Sequence, residues 1–231
     1  MGRTMQRRLA RKLDLEILLS YVKPHPTPSP SLEQYTVSVS VAAQMLYMAA
    51  FTYGDIVDKT VLDLGCGTGR LALGAAFLGA KKVVGVDIDK TAVRAAAENS
   101  VSTGLKDRVQ WVAADIDVIN GEFDTILQNP PFGVQKRGAD RKFLEKALQS
   151  GKAVYSLHKG TQNATSPRKF QARGIGAVPF SPSPFLRSLV ERHGGKIKAV
   201  YPIAMTIPHM FDFHTRRRHE FLVDLYVIER R

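Results

Sequence analysis

Cysteine is nearly absent from this chain: Cys66 is the only one in 231 residues. That excludes an internal disulfide framework and any multi-cysteine zinc site, and no bound metal is expected. A reducing, cytoplasmic setting is the default expectation. No apolar run is long enough to cross a bilayer, so a membrane role is not expected. The N-terminal stretch is charged but broken by Asp14 and Glu16, unlike the continuous apolar region of a signal peptide. Acidic residues are scarce too, 21 against 33 Lys and Arg, for a net charge of +12 and a pI near 9.9. Such a balance suits a polyanionic partner, most simply nucleic acid, or else a merely basic solvated surface. The length fits one α/β domain with appendages.

What the chain does contain centres on Asn129-Pro130-Pro131-Phe132. The preceding Phe123-Asp124-Thr125-Ile126-Leu127-Gln128 is a short apolar run that predicts a buried strand. Two consecutive prolines then end the ladder and forbid a helix at Asn129, leaving a stiff extended turn. Open α/β sheets place ligands at the carboxyl ends of their parallel strands. The turn offers an amide acceptor, the Pro130 carbonyl and the flat ring of Phe132. That set suits a planar amino group on a π-system, with the ring stacking on a base for about 1–3 kcal/mol. A turn that merely closes a loop is the plainer alternative.

Residues 4–22 predict an amphipathic helix with Leu9, Leu13, Ile17 and Tyr21 as its apolar stripe. The opposite face carries Arg3, Arg7, Arg8, Arg11 and Lys12, either solvated or an arm for phosphates. The proline-rich stretch 24–30 predicts a stiff connector. A helix over about 39–53 follows.

The second decisive stretch is Val61-Leu62-Asp63-Leu64-Gly65-Cys66-Gly67-Thr68-Gly69, a strand, a glycine-dense turn and then a helix over about 70–78. A dinucleotide loop would place its third glycine at position 70, where Arg70 stands. The spacing and the acid at Asp63 fit an S-adenosylmethionine loop better than a nicotinamide or flavin site. The strand 82–87 ends on Asp87, placed to accept from ribose hydroxyls, with Ile88 beside it; a helix cap at Asp87 or Asp89 is the competing role. Strand 108–114 ends at Asp115-Ile116, an acceptor for an adenine amine beside an apolar wall. A helix over about 90–103 separates these strands.

Further on come Lys136 and Arg137 in a loop, a helix over about 140–150, and a strand at 153–157. A long basic connection spans 158–183, and a helix runs over about 184–193. Alternating runs 196–207 and 220–229 predict an antiparallel hairpin. Its connector carries Phe213, His214, Arg216, Arg217 and Arg218, which on so basic a chain favours nucleic-acid contact.

Together, 63–69 and Asn129-Pro130-Pro131-Phe132 resemble amino-directed class I methyltransferases. More narrowly, Leu32-Glu33-Gln34-Tyr35, Ala42-Ala43-Gln44-Met45-Leu46-Tyr47, Asn129-Pro130-Pro131-Phe132-Gly133, Ala153-Val154-Tyr155-Ser156-Leu157-His158-Lys159 and the Phe213-His214 basic run resemble the methyltransferase-like-five family, in an archaeal-type member. The likeness spans about 32–229. It implies a Rossmann-like α/β fold with a seven-stranded, mostly parallel sheet in the order 3-2-1-4-5-7-6 and a C-terminal antiparallel hairpin. It also implies S-adenosyl-L-methionine as cofactor and transfer of methyl to N6 of an adenosine in small-subunit ribosomal RNA. A DNA adenine, a protein glutamine or silent RNA binding on the same scaffold are the alternatives. On this pattern residues 1–31 are a basic helix and proline-rich linker, and 32–231 the catalytic domain.

The resemblance implies catalytic roles for Asn129, Pro130, Pro131 and Phe132. It implies a cofactor site made of Gln34, Thr36, Asp63, Gly65, Gly67, Thr68, Gly69, Asp87, Ile88, Asp115, Ile116 and Asn129. RNA contact falls to Lys136, Arg137, Phe213, His214, Arg216, Arg217 and Arg218. Where the family commonly has Pro-Thr after its Gln-Tyr pair, this chain has Thr36-Val37. Eukaryotic members work with a small zinc-binding activator subunit, for which the third strand, with Trp111, is the expected docking edge.

Overall fold

The computed structural model describes residues 10–34, 36–133, 138–160, 181–208 and 218–230, without the side chains of 206–208 and 218–221. Strands and helices alternate. Helix α1 (Lys12–Ser20) and helix α2 (Val39–Tyr47), prolonged by a π turn at Met48–Thr52, precede the sheet. Then follow β1 (Thr60–Leu64), α3 (Arg70–Phe77), β2 (Lys82–Asp87), α4 (Lys90–Ser102), β3 (Val109–Ala113) and β4 (Phe123–Gln128). The second half comprises α5 (Ala139–Ser150), β5 (Gly151–Lys159), α6 (Pro184–Arg192), β6 (Gly195–Pro208) and β7 (Arg218–Arg230).

The seven strands form one sheet in the order β3-β2-β1-β4-β5-β7-β6, as the resemblance implied. Strands β1 to β5 are parallel, and β7 runs antiparallel to both neighbours, β5 and β6. The C-terminal hairpin thus inserts its last strand between β5 and β6.

Side chains alternate across the sheet, because successive strand residues point to opposite faces. Val61, Leu127 and Tyr155 join a layer containing α1, α2 and α3 through Leu19, Met45, Leu46 and Leu73. Leu62, Ile126 and Val154 join the opposite layer with α5 and α6 through Leu144, Leu148 and Leu189. Both faces of the parallel strands are covered, which is why those strands read as nearly continuous apolar runs.

Helix α1 packs on α2 and α3, but not by the expected stripe. Leu15 and Leu19 are fully buried and Val22 nearly so, whereas Leu13, Ile17 and Tyr21 are 58%, 48% and 66% exposed. Four-residue spacing describes both stripes equally well, and the sequence alone does not say which one meets the sheet layer.

Candidate functional site

All parallel strands discharge at one edge of the sheet, where a cavity of about 300 Å³ opens. Beneath it lies the turn between β1 and α3. Gly65, Gly67 and Gly69 adopt φ values of +68°, +53° and +88°, which a side chain would disfavour. Space forbids one too at Gly65, where a Cβ would stand 2.8 Å from Phe143 Cε1. The turn is pinned from β2: the N–H groups of Gly65 and Cys66 donate to the Val86 carbonyl at 2.8 and 2.9 Å. The Gly67 N–H donates to Asp87 Oδ2 at 2.8 Å.

Three acids stand at or next to the carboxyl ends of three successive strands around this turn. Asp63 is 1% exposed, and its Oδ2 accepts from the Ala72 N–H at 2.9 Å. Burial pushes its carboxyl up to about 7. Asp87 also accepts the Asp89 N–H, through Oδ1 at 2.9 Å, and burial raises its carboxyl as well. The helix cap belongs to Asp89, whose Oδ1 accepts from the Thr91 N–H at 2.7 Å. Asp115 is more open and accepts at Oδ1 from Asp117 N–H and from Lys142 Nζ, each at 3.0 Å.

The expected residues Gln34, Thr36, Asp63, Gly65, Thr68, Asp87, Ile88, Asp115, Ile116, Asn129 and Pro131 all line the cavity. Gly67 and Gly69 stand behind it as parts of the turn, Gly69 heading α3. Pro130 is buried, and Phe132 is half-buried against the α1–α3 layer. Behind Asn129, Gln128 Nε2 donates to Ser156 Oγ at 2.8 Å, and that hydroxyl lies 2.8 Å from His158 Nε2. Burial pushes the His158 imidazole down to about 4, so this row is neutral packing beneath the turn. Lys136, Arg137, Phe213, His214, Arg216 and Arg217, and the side chain of Arg218, lie outside the described residues.

Two parts of the wall escaped the sequence reading. Gly138, Ala139, Lys142 and Phe143 come from the first turns of α5. The available signal was topological: the helix after β4 begins at the same carboxyl edge and must border the site. Ser31, Leu32 and Glu33 follow the proline-rich stretch; the last two belong to the family-like Leu32-Glu33-Gln34-Tyr35 run, of which only Gln34 was expected at the site.

S-adenosylmethionine carries a ribose diol, an aromatic amine and a cationic amino-acid end, so it needs hydrogen-bond acceptors and apolar walls. The cleft supplies the three acids with Ile88, Ile116 and Phe143. Asp63 Oδ1 and Thr68 Oγ1 are buried polar atoms with no hydrogen-bond partner among the described residues, and a Cβ at Gly67, in the turn between them, would meet nothing within 4 Å. These residues fit the group.

Sheet order, glycine turn and strand-end acids make the chain a class I methyltransferase, with S-adenosylmethionine as its cofactor. The comparisons with known proteins agree and narrow it. A family model described as ribosomal protein L11 methyltransferase (PrmA) matches residues 42–130, the part from α2 to the end of β4 and the start of its turn. The uncharacterized protein MJ0284 of Methanocaldococcus jannaschii is 35% identical over 96% of this chain and 95% of its own. The rRNA N(6)-adenosine-methyltransferase METTL5 of Danio rerio is 41% identical over 63% of this chain and 73% of its own. Among solved structures, PH1948 of Pyrococcus horikoshii superposes with a TM-score of 0.79 at 33% identity, covering 96% and 99% of the two chains. The chain belongs to the METTL5 family of methyltransferases.

Proposed function

We propose that this enzyme methylates the exocyclic N6 amine of an adenosine in RNA, and that its natural substrate is small-subunit ribosomal RNA. One observation carries the reading: Asn129 and Pro131, from the turn after β4, face the same cavity as the acids that end β1, β2 and β3. The rRNA named for the Danio rerio relative supports the substrate class. The match to a protein methyltransferase model takes in Asn129 and Pro130 but ends before Phe132, the residue assigned to stacking on a base.

Bound S-adenosylmethionine supplies an electrophilic methyl group. The chain's own residues have three tasks. Asp87 would accept from the ribose hydroxyls and Asp115 from the adenine amine of the cofactor, while Gln34, Thr36, the 65–69 turn, Ile88 and Ile116 shape the pocket. Asn129 Oδ1 and the Pro130 carbonyl would accept the two hydrogens of the target amine, drawing its lone pair out of the ring and toward the methyl group. Phe132 would stack on the base. Orientation of this kind supplies much of a transfer rate without a general base. On this reading Lys136, Arg137, Phe213, His214, Arg216, Arg217 and Arg218 contact RNA, in keeping with the net charge of +12.

The reading extends to a partner. Among the described residues β3 is a free edge of the sheet, where a small zinc-binding activator subunit would add a strand. The Trp111 ring does not occupy that edge; it packs on Gly69 and Gly85, where a Cβ would strike it. We infer a cytoplasmic setting, with which a ribosomal RNA substrate is in keeping.

The deciding experiment incubates the purified chain with unmodified small-subunit ribosomal RNA and labelled S-adenosylmethionine, followed by nucleoside analysis. N6-methyladenosine above the background of an Asn129→Ala control is expected. Label in protein or in another nucleoside would overturn the substrate assignment.

A further inference from the structure

The proline-rich leader does not run free as a connector. Arg70, the residue that breaks the dinucleotide spacing, holds residues 22–37 at both ends: Nη2 donates to the Val22 carbonyl at 2.9 Å and Nη1 to the Val37 carbonyl. Asn99, 2% exposed, accepts the Lys23 N–H at 3.0 Å. Its Nδ2 donates to the Lys23 carbonyl at 3.1 Å and to the Thr68 carbonyl at 3.0 Å. One amide thereby ties the leader to the glycine turn.

Between these anchors His25 is only 7% exposed, although prolines flank it on both sides. Its Nδ1 accepts the Thr27 N–H at 3.1 Å, so Nε2 carries the proton and donates to Asp89 Oδ2 at 2.9 Å. The same oxygen accepts Gln34 Nε2 at 2.7 Å, while Gln34 Oε1 accepts the Ser29 N–H at 2.7 Å. A flipped Gln34 amide would oppose donor to donor and acceptor to carboxylate, so its orientation is set by these partners. Asp89 in turn donates its N–H to Asp87. A continuous path therefore runs from His25 through Asp89 to two cleft residues, Gln34 and Asp87.

We propose that residues 22–34, with 36 and 37, are a built-in strap of the methyl-donor site and that His25 is a positioning residue, fixing Asp89 and through it Gln34 and Asp87. The proposal rests on the cleft holding S-adenosylmethionine. A buried donor to a carboxylate that itself orients two ligand-facing groups stands as the outer-shell partners of metal ligands do, whose removal commonly weakens binding by about 10–100-fold. Residues that support a site from behind fix its geometry.

The test is calorimetry with S-adenosylhomocysteine on the full chain, on His25→Ala and on His25→Gln, whose amide keeps a donor for Asp89. The expected result is a Kd raised about tenfold or more in His25→Ala, restored most of the way by His25→Gln, with both variants melting alike without ligand. Wild-type affinity in His25→Ala, or equal weakness in both variants, would overturn the proposal while leaving the cofactor site standing. No binding by the unmodified chain would bring down the cofactor reading and the proposal with it. Should His25→Ala fail to fold, hydrogen exchange on the unmodified chain decides. Amides of the strap should slow when ligand is added; slowing at 65–69 alone would refute the proposal.

Discussion

Asp63 makes stability depend on pH in a way that can be worked from its surroundings. The carboxyl is fully enclosed, takes one backbone hydrogen bond, and titrates near 7 because burial disfavours the anion. In the unfolded chain the same group titrates near 3.9. The folded value stands above the unfolded one, so the folded chain holds the extra proton between them, and stability falls as the pH rises through that interval. From about pH 5 to about pH 7 the loss is ~1.4 kcal/mol per unit, on the order of 3 kcal/mol in all. Above about pH 8 it levels off. Asparagine at this position keeps an oxygen for the Ala72 N–H and has no proton to lose. Urea denaturation of ligand-free wild type and Asp63→Asn, at about pH 5 and about pH 8, isolates the effect from other titrating groups. The stability difference between the two proteins should move by that amount in favour of asparagine at the higher pH. A difference that stays constant across the range would refute the account.

Asn129→Ala should abolish methyl transfer while leaving S-adenosylmethionine affinity close to wild type; joint loss of binding and fold would instead mark a structural turn. Gly74→Ala, inside α3, should lower stability by about 1–3 kcal/mol despite the better helix propensity of alanine, because the new Cβ would collide with Leu46 and crowd Leu19. Thermal melts of the variant decide the sign.

Much of the fold was legible because its determinants are local. Strands β2 and β4 fall where their apolar runs and terminal Asp87 and Pro130 put them. The acids of the cleft were legible for the same reason, each closing a strand beside a glycine or helix start. What was not legible depends on partners distant in sequence. Prolines at 24, 26, 28 and 30 predict an extended connector, yet Asn99 and Arg70 seat that segment across 76 and 48 residues. The choice between the Leu13-Ile17-Tyr21 and Leu15-Leu19 stripes of α1 likewise rests on what α2 and α3 present, not on α1 itself.

Cys66 carries a practical consequence. It is the chain's sole thiol, is only 7% exposed in the wall of the cleft, and is held protonated because burial pushes its ionisation up. Thiol reagents attack through the thiolate, so a folded molecule is close to silent toward them. A cysteine introduced at an outward position such as Val101, 60% exposed on α4, would then be the single reactive handle. Fluorophores or spin labels could be attached there with the native residue left in place within the glycine turn.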